Sequence, residues 1–187
     1  NRTSNFNTRQ NNYDISADVL GYPESYYSPP SESLSEIQII RGAASLQYGT
    51  QFGGLVNFKT KSPNRNKPLE VVLRNTVGSN GLYTNFTSFS GTSKKLSYYS
   101  YVNYKAGDGF RSNSEFESKN IFSHIEYAFS TKTNLAVELT YLKYLAQQAG
   151  GLNDSMFAVD PYQSVRSRNW FKVNWLLYNA KLTHRFS

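Results

Sequence analysis

Residue types that do covalent chemistry are scarce in this chain. Cysteine is absent, so no disulfide framework, thiolate zinc site or cysteine nucleophile lies within it. The two histidines, His124 and His184, stand far apart and neither sits in a metal-binding motif. Each reads as a side chain occupying a strand position. No Ser-His-Asp set, phosphate-cradling loop or carboxylate pair at catalytic spacing is visible, so the chain reads as a non-enzyme without a cofactor. What remains is recognition and packing chemistry. Arg41 follows an apolar strand and calls for a carboxylate or backbone carbonyls as partners. The glycines at 42, 49, 53 and 54 point to positive φ or close backbone approach.

Composition narrows the class. The 187 residues carry 20 Lys+Arg against 13 Asp+Glu, a formal charge of +7. The cations are spread from Arg2 to Arg185, without a basic stripe or a recognition helix, which argues against nucleic acid. Mean hydropathy is −0.57, and no run of about 18 apolar residues exists, which excludes a helical membrane span. Membrane-crossing strands remain open, because alternating lipid-facing and lumen-facing residues average to a polar composition. The 16% aromatic content fits either a soluble core or the aromatic girdles of a membrane barrel. No secretory signal pattern stands near Asn1 and Met156 is the only methionine, so the chain reads as a piece cut at both ends.

Two textures divide the chain. Residues 1–64 are loop-rich, and from about Pro68 onward long period-2 strands alternate with polar turns. One face of a strand carries Leu96, Tyr98, Ser100, Val102 and Tyr104, and the other carries Ser97, Tyr99, Tyr101, Asn103 and Lys105. Six such strands of about ten residues are expected, a length that crosses a bilayer when tilted. Short turns follow the second and fourth strands, and longer loops, at about 107–118 and 145–169, follow the third and fifth. Six strands leave two long unpaired edges, which lipid does not tolerate.

The most specific pattern lies at residues 37–61. It reads as a short buried strand (residues 37–40), a glycine-bearing turn, a compact segment ending in Tyr48 and Gly49, then Gly53, Gly54 and a second strand. Ile37, Ile39, Arg41, Gly42, Ser45, Tyr48, Gly49, Gly53, Gly54, Val56, Asn57 and Phe58 resemble, at near-fixed spacing, the end of the plug domain of TonB-dependent outer-membrane receptors. Ala43 replaces the usual proline, and Thr50, Gln51 and Phe52 make a spacer of three where four is commoner. This form looks most like the ferric-dicitrate-type branch. Asp18 to Pro23 resembles the family's Asp-Gly-x-Pro turn with an altered order.

The resemblance implies a fold and a role. Residues 1–64 would be the C-terminal part of an α+β plug. Residues 65–187 would be the first strands of an all-β, antiparallel, up-and-down transmembrane β-barrel of about 22 strands, whose remaining strands lie outside this chain. The protein would be an outer-membrane receptor and active transporter of a Gram-negative bacterium, energised by the inner-membrane TonB complex. Its binding box would lie outside these residues. The ligand would sit at the extracellular apex of the plug, and the charge favours an anionic ferric chelate such as ferric citrate or another siderophore. Arg and Lys would supply charge, and Asn, Gln and Tyr hydrogen bonds. The candidates are Arg9, Gln10 and Asn11 in the plug loops, Gln51, Tyr26 and Tyr27, and Arg111, Arg166 and Arg168 in barrel loops. Solvated loop charges or plug–barrel contacts are the plainer reading of each. Arg41, Gly42, Ser45, Tyr48, Gly49, Gly53, Gly54 and Asn57 are structural, with Arg41 tying plug to wall. Alternatives are a passive or adhesive outer-membrane barrel, a soluble all-β binding module, or uptake of haem, cobalamin or oligosaccharide by the same architecture.

Overall fold

The computed structural model describes residues 6–15, 27–41 and 54–186. Two sheets account for most of them. The inner sheet is four-stranded and mixed, in the order β2-β1-β4-β3, with β1 Phe6–Gln10, β2 Tyr13–Asp14, β3 Leu34–Ile40 and β4 Gly54–Thr60. β1 runs parallel to β4, while β3 pairs with β4 antiparallel. A 3-10 turn at Ser31–Ser33 precedes β3, and no α-helix occurs among the described residues of this region.

β1 and β2 form a hairpin closed by Asn11 and Asn12, both at positive φ (49° and 75°), with Gln10 opposite Tyr13. A two-residue turn with positive φ at both positions matches the twist of the strands it joins, and asparagine tolerates that conformation. Gly54 opens β4 at φ +119°, and a Cβ there would sit 2.5 Å from the carbonyl oxygen of Ile40. Any other residue would push β3 and β4 apart at the point where they meet.

The wall sheet is six-stranded, in the sequential order β10-β9-β8-β7-β6-β5, every neighbour antiparallel. Its strands are β5 Glu70–Val77, β6 Tyr83–Ser93, β7 Leu96–Gly107, β8 Phe116–Ala128, β9 Thr133–Gln147 and β10 Trp170–His184. β8, β9 and β10 have 13, 15 and 15 residues, longer than the ten expected. The residues assigned by pattern to loops at 116–118 and 145–147 stay in register with their neighbours. The connections at 78–82, 108–115 and 148–169 lie at one end of the sheet, and those at 94–95 and 129–132 at the other. The longest loop holds a short helix, α1 Asp154–Val159, capped by the Asn153 side chain accepting from the Met156 N–H.

The two faces of the wall differ as the alternation requires. The outer face exposes Val71, Leu73, Val102, Ile121, Leu176 and Tyr178. The inner face buries a ring cluster of Phe86, Tyr99, Tyr101 and Phe122, with Tyr101 and Phe122 stacked at 5.4 Å. Around them it buries Ser88, Asn103, Asn120 and Thr140. An apolar exterior around a polar and aromatic interior inverts the pattern of a soluble sandwich.

One expectation is corrected. The strand ending at Ile40 was read as buried, yet Ile37 and Ile39 are 54% and 58% exposed. That face of β3 has no described element packed over it, so period alone placed the residues in a core that these strands do not form.

Candidate functional site at the seam between the sheets

β4 ends at Thr60, and residues 61–69 lead directly into β5 at the short-turn end of the wall. Because β1 is parallel to β4, the β1–β2 hairpin points its tip at that same end. The tip is therefore turned away from the long loops, and the seam with the wall has two chemically distinct halves.

Toward the long loops the seam is apolar. Ile15 and Tyr27 bury themselves against Leu142 and Val173, with Tyr13, Tyr144, Phe171, Trp175 and Leu177 packed around them. Tyr27 meets Trp175 edge-to-face, with ring centroids 5.3 Å apart, the arrangement that places a positive ring edge on a negative ring face. Its hydroxyl donates to Oε1 of Gln10 at 2.5 Å. Burial pushes the Tyr27 phenol up to about 12. Burial, with Glu138 nearby, also holds the Tyr13 phenol above its ordinary range. Both rings thus act as protonated packing groups.

Toward the short turns the seam is polar. Asn11 Nδ2 donates to Glu138 Oε1 at 2.8 Å and to Thr60 Oγ1 at 3.0 Å. Each His124 ring nitrogen lies within 2.9 Å of a carboxylate oxygen, Nδ1 facing Glu138 and Nε2 facing Glu126. Arg65, from the connection between the sheets, bonds Glu126 and the Ser97 hydroxyl. A cavity of about 280 Å³ opens here, lined by Asn11, Thr60, His124, Glu138 and Lys181 among others. Between the halves sits Gln10, with no exposed surface. Its Nε2 donates to the Tyr13 hydroxyl at 2.7 Å and to Thr140 Oγ1 at 3.0 Å.

Arg9, Gln10, Asn11 and Tyr27, expected at an apical ligand site, lie in the inner sheet or at its seam with the wall. Arg9 lies within β1, where it donates to Asn7 Oδ1 and the Asn12 carbonyl and pairs with Asp14 at 3.8 Å. Gln10 and Tyr27 are sealed between the sheets, and Asn11 faces the short-turn half of the wall. The type of each residue suited a ligand, but the parallel β1–β4 pairing carries the hairpin to the opposite end. Tyr26 and Gln51 lie outside the described residues.

The loop arginines separate. Arg111 clamps the two long loops together, donating to the Gln163 carbonyl at 3.1 and 2.8 Å and to the Gly150 carbonyl at 2.9 Å. Its two acceptors are neutral carbonyls, and it forms no ion pair with a described residue. Arg166 is exposed beside Gly150. Arg168 instead lines a separate cleft with Lys143, Trp170 and Lys172, so it does not converge with Arg111.

Of the motif residues, Asn57 is buried and central. Its Nδ2 donates to Asn12 Oδ1 at 2.9 Å and Gln38 Oε1 at 2.8 Å, while its Oδ1 accepts from the Asn12 N–H. It thereby joins β4 to β3 and to the hairpin turn. Arg41 is exposed at the end of β3 and forms no ion pair with a described residue. Gly42, Ser45, Tyr48, Gly49 and Gly53, with the turn from Asp18 to Pro23, lie outside the described residues. Pattern reading missed His124 and Glu138 as seam residues. The available signal was two charged side chains on the inward face of adjacent strands.

No family model and no curated protein matches the chain. Solved structures do. The unliganded ferric citrate transporter FecA aligns with 97% of this chain and 29% of its own length, at TM-score 0.79 and 19% identity. FpvA of Pseudomonas aeruginosa, bound to heterologous pyoverdines, aligns with 97% of this chain and 26% of its own, at TM-score 0.79 and 17% identity. The copper transporter OprC aligns with 79% of this chain and 24% of its own, at TM-score 0.65 and 19% identity. The likeness is one of fold, and the chain spans 24–29% of the length of these structures.

Proposed function

We propose that this chain is part of a TonB-dependent outer-membrane receptor that takes up an anionic ferric chelate. In this reading residues 1–64 are the C-terminal part of the plug and residues 65–187 the first strands of the barrel. The observation that carries it is the inner sheet, continuous in chain with the wall and packed on its polar, ring-bearing face while the opposite face is apolar and exposed. That is the layout of a plugged membrane barrel, with lipid outside and the plug in the lumen. Wall strands with long loops at one end and short turns at the other fit extracellular and periplasmic surfaces. The motif at residues 37–61 and the similar fold of receptors for ferric citrate and ferric pyoverdine support the same reading. The transporters and receptors whose fold this chain resembles support a transport role rather than an enzymatic one.

The ligand is assigned to the long-loop end. Arg166, which forms no ion pair with a described residue, supplies a cation there, and Arg111 holds the two loops that present it. Arg9, Gln10, Asn11 and Tyr27 are plug–wall contacts in this reading. Ferric-citrate or siderophore uptake by the full-length receptor, measured with radioactive iron in cells with and without TonB, tests the proposal. Uptake that depends on TonB and falls about tenfold in Arg166→Ala, for a lost charge-assisted contact, is the expected result. Uptake unaffected by loss of TonB overturns the transport reading, and undiminished uptake by Arg166→Ala at normal surface expression overturns the ligand assignment.

A further inference from the structure

On the outer face of the wall, immediately past the apolar band on its long-loop side, the strands gather cations. Lys119 on β8 stands directly opposite Lys143 on β9. Lys172 on β10 stands opposite Leu145, which in turn faces Glu117. Arg168 joins them from the last loop: Lys143, Lys172 and Arg168 line a cleft of about 560 Å³ together with Glu117 and Trp170, and Lys119 stands beside it, opposite Lys143. Lys119 pairs with Glu117 at 2.9 Å and lies 5.6 Å from the centre of the Tyr104 ring. No ion pair to Lys143, Lys172 or Arg168 occurs among the described residues. One carboxylate therefore answers four cations.

The placement is what makes this patch informative. Like charges directly opposite on a sheet repel, and cations on the lipid face are tolerated only near the edge of the hydrocarbon. Below the patch the outward residues are apolar from Leu135 to Tyr141 on β9 and, apart from Ser123, which bonds the Ser100 hydroxyl at 2.8 Å, from Ile121 to Tyr127 on β8. Those six residue steps span about 20 Å along a strand. Lys119 and Lys143 follow within two residues, at the level of the headgroups. Trp170, 63% exposed, adds the ring that marks a membrane interface. Opposed lysines at that depth are complementary to a phosphate carried by a lipid.

We infer that Lys119, Lys143, Lys172 and Arg168 form a binding site for a phosphorylated lipid headgroup of the outer leaflet. The site rests on the proposed barrel reading, since it requires this face to meet lipid and the long loops to lie outside. It is separate from the ligand surface at Arg111 and Arg166, because it faces away from the inner sheet.

Native mass spectrometry of the full-length receptor with added lipid A tests the site. The comparison uses bis-phosphorylated lipid A, the same lipid without phosphates, and inorganic phosphate as competitor. Wild type should hold the bis-phosphorylated form, and K119Q/K143Q/K172Q should bind it roughly 100-fold more weakly, each lysine near an anionic lipid being worth roughly fivefold. Lys132→Gln, in a short turn at the opposite end, should bind as wild type. The lipid without phosphates should bind wild type as poorly as the triple variant binds the phosphorylated form. Equal binding of both lipids by wild type overturns the site without needing any variant. Displacement of lipid A by millimolar inorganic phosphate points to a free-anion site and overturns the lipid assignment. If the receptor fractionates outside the outer membrane, the barrel reading fails with it. A receptor that transports normally but shows no phosphate preference removes this inference alone.

Discussion

Toward the long loops the inner sheet meets the wall through rings and aliphatic groups; toward the short turns it meets it through amides, carboxylates and a histidine. The apolar half is held mainly by burial, which is non-directional, with the Tyr27 hydroxyl bonded to Gln10. The polar half is held by directional bonds around a cavity, where water can replace each partner as it leaves. One strand hairpin spans both, so the same inner sheet is anchored at one end and exchangeable at the other.

The contrast can be broken first at its strongest point. Tyr27→Ala removes the buried ring from Trp175 and leaves Gln10 Oε1 without its donor. It should cost about 3–5 kcal/mol, seen as a large fall in the thermal midpoint of the full-length protein. It should also give rapid proteolysis of the inner sheet. A fall no larger than that of a polar-half variant would show that the halves are equivalent. Glu138→Ala leaves Asn11 and His124 without their shared acceptor and should cost about 1–3 kcal/mol. Hydrogen exchange should then rise around Asn11 and Thr60 while the Ile15 cluster stays protected.

Tyr27→Phe keeps the ring and removes only the hydroxyl, for about 1 kcal/mol. It also carries a pH signature. The Tyr27 phenol is raised from 10.0 to about 12 in the fold, so the unfolded chain loses its proton first. The phenol's contribution is complete below pH 10 and is lost as pH climbs towards 12. Wild type should loosen over that alkaline window more than Tyr27→Phe does, and parallel pH profiles would contradict the assignment. Arg65→Ala should have the smallest effect, below about 1 kcal/mol, because the guanidinium is largely exposed and its pairing is screened. An unfolding midpoint that shifts with salt in wild type but not in the variant would identify that ion pair.

Much of the wall was legible from alternation alone. Val102, Ile121 and Tyr178 face outward and Tyr99, Tyr101 and Phe122 inward because period-2 spacing commits each residue to one face. The connections at 94–95 and 129–132 carried the polar residues expected of turns. Strand ends were harder. Phe116, Glu117 and Leu145 to Gln147 read as loop because polarity rises there, yet backbone pairing continues past the apolar band of the outer face. The helix α1 escaped notice despite Asn153 standing as its cap, since six residues give too little periodicity to register. The motif glycine at 54 does adopt positive φ, and Asn57 bonds β3 and the hairpin turn from β4.

The lysines of the outer patch show the limit from the other side. Each interrupts an apolar face singly, at 119, 143 and 172, and reads in isolation as a solvated charge. Pairing of three strands in one register brings them together. The same holds for the hairpin at Asn11 and Asn12. Its residue types and its turn are local properties, written in the order of the side chains. Which end of the wall it faces depends on β1 lying parallel to β4, a contact between residues about 50 positions apart. Alternation and turn chemistry act between neighbours, so the sequence by itself determined faces and turns. Direction and convergence are set by long-range pairing, so only the tertiary structure decided which end of the wall the hairpin faces, which residues seal the seam and where the cations of three strands gather.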